Sequence, residues 1–137
     1  MASLIYNSAI DDMARGAVDF DTDTFKAMLV TSSYAPNKDT DLKRSAVTNE
    51  VSGTGYTADG VTTACTVTKD TANDKVTLQF AEVSWASSTI TARALVIYKS
   101  TGTASTDALV AYNDFGSNVA TVGGTFSVAA STITLQN

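Results

Sequence analysis

From residue 24 to the C-terminus, short apolar or hydroxyl-rich runs alternate with clusters of turn-forming residues, and this spacing restricts the possible folds most strongly. The runs are residues 24–33, 61–69, 75–85, 90–100, 108–115, 125–131 and 132–137. Gly, Asn, Asp, Ser and Thr fill the separators, and no helical pattern alternates with the runs. The spacing predicts an all-β fold, an antiparallel β-sandwich of jelly-roll-like or immunoglobulin-like type with about 7 to 9 strands.

One short helix is expected near the N-terminus. Asn7 or Ser8 can cap it, Gly16 can end it, and about two turns fit over residues 8–15. Residues 1–17 are therefore expected to form an N-terminal arm that contains a short helix.

The length and composition favour one domain over residues 1–137. Charged residues make up only 17%, and 22 Thr and 14 Ser take their place on the surface. Thr is branched at Cβ, which suits strands better than helices. Residues 24–33 are apolar on both faces, so this run is expected to be the central strand.

Charge and hydropathy bear on partners and location. A net charge of -5 argues against binding nucleic acid through phosphate neutralisation, which needs clustered Lys and Arg. No apolar run reaches the roughly 20 residues of a membrane span, and the N-terminus lacks a signal-peptide pattern, so no membrane partner and folding in the host cytoplasm are expected. Cys65 is the single cysteine and is expected to be a small buried hydrophobe.

Nothing in the residue chemistry predicts an enzyme, a catalytic residue or a cofactor. The chain contains no histidine, which removes the usual general base and zinc ligand. Asp11 with Asp12, and Asp39 with Asp41, are carboxylate pairs of the kind glycosidases use, but neighbours in surface-like segments are more often solvated charge.

An acidic triplet, Asp19, Asp21 and Asp23, has the alternation of a calcium loop. Such a loop needs Gly at its sixth position and a bidentate Glu at its twelfth, and here those positions hold Thr24 and Val30. We therefore expect no metal site, and interpret the triplet as a solvated turn before a strand.

The segment 53–60, GTGYTADG, has the glycines of a phosphate-binding loop, but a strand follows it where a helix would be needed. Its glycines are interpreted as turn formers and Tyr56 as a residue packed over a loop. Trp85 is expected in the core or at a rim contact.

Four stretches resemble, in order, a widespread family of small structural proteins of tailed bacteriophages. They are residues 26–41 (KAMLVTSSYAPNKDTD), 47–61 (VTNEVSGTGYTADGV), 83–103 (VSWASSTITARALVIYKSTGT) and 109–116 (LVAYNDFG). The likeness covers residues 18–116, and the last twenty residues look like a looser version of the family's terminal β-hairpin. The resemblance implies a β-rich virion component found at the head or near it.

Within that family we expect a non-enzymatic capsid decoration, or cement, protein. It would bind the major capsid protein on the outside of an icosahedral head in the virion and associate as a homotrimer, since such proteins commonly occupy three-fold positions. A tail or head–tail neck component is the second reading. A free-standing carbohydrate-binding sandwich is the third.

Two segments are the candidate partner contacts, because binding residues are often carried on loops. The first is residues 32–44, with Tyr34, Pro36, Lys38, Lys43 and Arg44; the second is the N-terminal segment, with Leu4, Ile5 and Tyr6. For Tyr34 the alternative is a ring tucked into the protein's own core. For the N-terminal segment the alternative is a terminus folded back on its own domain.

Overall fold

The computed structural model describes residues 2–137. Its strands are β1 (Leu4–Ile5), β2 (Phe25–Val30), β3 (Val61–Thr63), β4 (Cys65–Asp70), β5 (Lys75–Phe80), β6 (Val83–Ser88), β7 (Thr91–Lys99), β8 (Leu109–Ala120), β9 (Gly124–Val128) and β10 (Ser131–Gln136). The one α-helix, α1, spans Asn7–Ala14, and a 3₁₀ turn spans Arg44–Ala46. The predicted all-β class with a short N-terminal helix is confirmed.

The first layer is a five-stranded antiparallel sheet in the order β1-β8-β7-β2-β3. β2 lies between β7 and β3, so the run predicted to be the central strand is an interior strand, while β7 holds the middle. Five of the six residues of β2 are buried, because both of its faces are covered.

The second layer consists of β10-β5-β4 and β6-β9. Phe80 pairs with Ser131 and Val83 pairs with Val128, so the β5–β10 and β6–β9 ladders share one register on either side of a two-residue break. The second layer is therefore one long ribbon with β4 along part of one side.

The main core fills the space between the layers. Phe20, Phe25 and Phe80 meet there with ring centroids 5.4–6.3 Å apart. Trp85 is also in this core, 3% exposed, and contacts the ring of Phe126. The sandwich is thus held by aromatic and aliphatic burial, worth about 1.5–3 kcal/mol per large side chain.

A second apolar cluster covers the opposite face of the first layer, and we call it the tyrosine cluster. Its buried members are Tyr6, Met28, Val30, Tyr34, Ala94, Val96, Tyr98, Leu109 and Tyr112. Tyr6 comes from the N-terminal segment and Tyr34 from the loop after β2, so these two segments form a partial third layer.

The helix begins one residue earlier than predicted. Tyr6 is its N-cap residue and no side chain caps it, so the predicted capping by Asn7 or Ser8 is wrong. Gly16 ends the helix as predicted: its φ is +76°, its N–H bonds the Met13 carbonyl, and the N–H of Ala17 bonds that of Asp12.

Three details of the strands differ from the prediction. Residues 2–137 contain ten strands, because two predicted runs bend and change partners, near Ala64 and after Phe80, and because β1 adds a short strand before the helix. β8 continues to Ala120 because Gly116, with φ +84°, takes up a kink within the strand. The last two strands are not a hairpin, since β9 pairs with β6 and β10 with β5.

Candidate interaction surface

The loop after β2, residues 31–49, folds around a turn closed by Asn37 and Asp41. The N–H of Asp41 bonds the Asn37 carbonyl at 2.9 Å, and the Asp41 carboxylate accepts the N–H of Asn37 at 3.0 Å. The Asn37 side chain accepts the N–H groups of Asp39 and Thr40 at 3.0 and 3.3 Å. Asn and Asp favour such turns because their short side chains bond the backbone a few residues on. The loop is therefore ordered by its own sequence.

Hydrogen bonds join this loop to the N-terminal segment. The hydroxyls of Tyr6 and Tyr34 lie 2.9 Å apart, and Tyr34 donates to the Asp41 carboxylate at 2.9 Å. The N–H of Asn7 bonds the Lys38 carbonyl at 3.0 Å. Burial raises the pKa of both tyrosines above the ordinary value, so both remain neutral donors. The two candidate segments, separate in sequence, thus form one surface.

Arg44 anchors the other end of the loop. Its Nε donates to Asp107 at 2.7 Å, its NH1 donates to Asp59 at 2.5 Å, and its guanidinium lies 5.2 Å from the centre of the Tyr98 ring. The Asp107 carboxylate also accepts the N–H of Thr101 at 2.6 Å. Burial acts to raise the pKa of Asp107, but the bonds from Thr101 and Arg44 outweigh it and hold that pKa below its ordinary value. Arg44 therefore connects the loop after β2 with the two segments that contain Asp59 and Asp107.

The eight candidate residues divide by exposure. Tyr6, Tyr34 and Pro36 are buried; Leu4, Lys43 and Arg44 are half-buried; Ile5 and Lys38 are exposed. The ring of Tyr34 lies in the protein's own core, which is the alternative to a partner contact. For the N-terminal segment the structure shows a terminus paired with β8, at Leu4 with Tyr112 and Ile5 with Ala111. Contact with a partner through these residues stays a prediction.

The exposed and half-buried residues between the loop and α1 form a surface that we call the loop–helix surface. Its residues are Asn7, Asp11, Lys38, Asp39, Leu42 and Lys43. Leu42 is 49% exposed, and a depression of about 300 Å³ separates it from α1. This combination of an exposed Leu with two Lys and two Asp can bind a partner with apolar and charged groups.

The acidic triplet forms a turn. Asp19 Oδ1 accepts the N–H groups of Asp21 and Thr22, and Asp23 accepts the N–H of Asp19 and pairs with Lys99 at 3.0 Å. Within residues 2–137, no group of three acidic, Cys or His residues is arranged to hold a metal ion.

The glycine-rich segment is held close to neighbouring strands. Tyr56 accepts the N–H of Leu29 at 3.0 Å, donates to Glu50 at 2.7 Å, and packs 5.5 Å from Trp85. A Cβ on Gly60 would lie 1.9 Å from the carbonyl oxygen of Ala27. Tyr56 therefore packs against the core through Trp85 of β6 rather than over a loop, and these glycines also permit close backbone contact.

Cys65 and the carboxylates Asp11 and Asp39 each contact other parts of the protein. Cys65 is half-buried against the main core, and burial raises its pKa to about 11. Asp11 pairs with Arg15 one helical turn away, and Asp39 accepts a bond from Asn7 at 2.5 Å. The Asp11–Arg15 and Asn7–Asp39 contacts support the helix and the turn on which the loop–helix surface rests.

Sequence reasoning missed Asp59 and Asp107 as partners of Arg44. No local pattern marks them, because 63 residues separate Arg44 from Asp107. The only local signal is that Asp107 directly precedes the buried run at residues 108–112.

The single α-helix has eight residues, and over residues 2–137 no helix is long and apolar enough to cross a membrane. No protein-family model matches the chain, and neither a curated protein nor a solved structure matches it.

Proposed function

We propose that this protein is a non-enzymatic structural protein of a tailed-bacteriophage virion, a decoration or cement protein that binds the major capsid protein on the outside of the head. The observation that carries the proposal is the loop–helix surface: an ordered loop presents Lys38, Leu42 and Lys43 on one side of a rigid sandwich. The resemblance of residues 18–116 to a phage structural family supports the class of particle.

The ordering of the loop supports this role. The Asn37–Asp41 turn and Arg44 fix the loop before any partner arrives, so binding loses little loop entropy. A shell offers many equivalent sites to such a surface. Modest energy from each copy then stabilises the whole lattice.

Copy number in purified particles tests the proposal against the alternatives. A decoration protein is expected at hundreds of copies per particle, because it follows the symmetry of the shell. About six to twelve copies would indicate the neck or tail reading. Absence from the particle, together with saturable glycan binding, would indicate the carbohydrate-binding reading.

Charge reversal on the loop–helix surface tests where the shell is contacted. Lys38→Glu and Lys43→Glu are expected to lower occupancy on the shell, because each replaces a cation with an anion in the proposed contact. Lys69→Glu is the matched control, since Lys69 is exposed on β4 in the second layer and the change in net charge is the same. Equal occupancy of all three variants would contradict this contact.

The resemblance also implies a homotrimer. Replacing Tyr34 or Arg44 by alanine, or removing the N-terminal segment, would disturb contacts within the protein's own fold, so a loss of binding or of the trimer could not be assigned to the surface. Surface changes such as those above avoid this problem.

A further inference from the structure

An open seam runs along one side of the sandwich, between the edge formed by β1 and β8 and the edge formed by β9 and β10. Three depressions of about 330, 620 and 110 Å³ follow one another along it. The first two share Asn113 and Ala130, and the last two share Ile5 and Ile133. None of the residues that line the three depressions carries a charge, although the chain has a net charge of -5.

β10 forms an open edge of this seam. It pairs with β5 on one side, and over residues 2–137 no strand pairs with its other side. Natural sheet edges are usually protected by charge, proline or a bulge. β10, with the sequence STITLQ, has none of these, and its register with β5 is unbroken. β4, at the opposite edge of the same sheet, carries Lys69 and Asp70.

Apolar side chains lie beside the open edge. Leu135 is 38% exposed, Ile5 36% and Ile10 54%, and they surround the same depression as Met13 and Ile133. An open strand edge next to an apolar stripe provides both backbone hydrogen bonds and hydrophobic area for an incoming strand.

We propose that a second copy of this chain covers the seam, with its β10 paired antiparallel to the β10 described here. A two-fold register that pairs residues 132–136 of each copy places Thr134 opposite Thr134 of the second copy. Ile133 then lies opposite Leu135 of the second copy, so the apolar residues of β10 meet on one face. The two three-stranded sheets become one six-stranded sheet.

The second copy is the occupant that these features fit. Its β10 is a strand of equal length, has no charge, and has the same alternation of hydroxyl and apolar residues. Two molecules that each have a net charge of -5 repel each other at long range, and no charged residue lines the seam.

This dimer does not rest on the proposed function, because it forms whether or not the protein coats a shell. It also differs from the trimer that the resemblance implies. The isologous pairing uses the β10 edge of each molecule once and closes at two.

The register itself provides the test. Thr134, Thr77 and Thr68 form one row across the sheet, with Thr134 on the β10 edge and Thr68 on the β4 edge. Both edge side chains are exposed. Thr134→Lys and Thr134→Glu each place like charges opposite one another in the dimer, while an equimolar mixture places Lys opposite Glu. Thr68→Lys and Thr68→Glu are the matched controls.

Light scattering should give twice the chain mass of 14.2 kDa for the natural protein and for both Thr68 variants. Each Thr134 variant alone should dissociate at least about tenfold more readily, and the mixture should recover the dimer. A natural protein that is monomeric up to about 1 mM, or trimeric, would overturn the inference. So would folded Thr134 variants that dimerise normally, or a mixture of folded variants that does not recover.

Hydrogen exchange on the natural protein keeps the inference testable if a Thr134 variant fails to fold. Outward-facing amides within residues 131–136 should gain protection as the concentration rises, and amides within residues 65–70 should not. Protection of β10 that does not change with concentration would exclude the pairing.

Discussion

Arg44 and Asp107, 63 residues apart in the sequence, form an ion pair in which Nε of the guanidinium lies 2.7 Å from Oδ2 of the buried carboxylate. The Arg44 side chain is 14% exposed and that of Asp107 1%. The second carboxylate of the group, Asp59, is 51% exposed, so its pairing with Arg44 contributes less than about 1 kcal/mol. The pair with Asp107 is therefore the contact that holds the base of the candidate loop.

Breaking this pair from one side is expected to be costly. Arg44→Met leaves the Asp107 carboxylate buried without its cation, so it should lower the free energy of unfolding by about 3–5 kcal/mol. Asp107→Leu leaves the guanidinium paired with Asp59 alone, so its loss should be smaller. The double variant should lose much less than the sum of the two. Urea unfolding measures all three, and additive losses would show that the two side chains do not act as a pair.

Acid should weaken the same contact. Because folding holds the pKa of Asp107 below its ordinary value of about 4, the stabilisation is complete above that pH and is lost as the pH falls toward the folded-state pKa. Asp107→Asn should flatten the pH dependence of the free energy of unfolding below about pH 4. Parallel pH profiles for the natural protein and the variant would contradict the assignment.

Gly60 is expected to tolerate no side chain. Its φ is +81°, and a Cβ would lie 1.9 Å from the Ala27 carbonyl oxygen, so Gly60→Ala must push β2 and β3 apart. Gly102 has a similar φ of +90° but nothing within 4 Å. Gly102→Ala should cost only the left-handed strain of about 1–2 kcal/mol, and Gly60→Ala more than about 4 kcal/mol. Thermal melts of the two variants measure the difference, and equal losses would contradict the close contact.

The fold class could be predicted from the sequence because turn residues and β-branched runs act locally. The run at residues 24–33, apolar on both sides, even indicated a strand covered on both faces. What covers the second face could not be predicted. Tyr6 and Tyr34 meet through hydroxyl groups 28 residues apart, and no periodicity reports such a pair.

The predicted strand boundaries were wrong where one residue type is compatible with two backbone structures. Gly116 indicated a turn, but the same positive φ permits a kink within β8. The candidate loop was located from its composition, whereas the structural role of Arg44 depends on Asp59 and Asp107, which only the folded chain brings near.

Alkaline pH should unfold the protein. Burial raises the pKa of Tyr6, Tyr34, Tyr56 and Tyr98 above their ordinary value of 10.0. For a raised pKa, the stabilisation is complete below pH 10 and is lost as the pH rises further, because only the unfolded chain ionises readily there. Tyrosinate absorbance and circular dichroism should therefore change together above about pH 10. Tyrosines that ionise near pH 10 while the circular dichroism stays unchanged would show that these rings are accessible.

The acidic turn before β2 gives the last prediction. Hydrogen bonds from the Thr22 side chain and from the N–H groups of Asp21 and Thr22 lower the pKa of Asp19. The Asp21 side chain, by contrast, accepts no hydrogen bond from any residue within 2–137. Asp19→Ala should therefore lower the melting temperature, and Asp21→Ala, which removes the same charge two residues away, should leave it nearly unchanged.

Millimolar calcium should not alter the melting temperature of the natural protein, because Thr24 and Val30 occupy the positions where a calcium loop needs Gly and Glu. A rise of several degrees with calcium that a chelator reverses and that Asp21→Ala abolishes would show instead that the three carboxylates bind the ion.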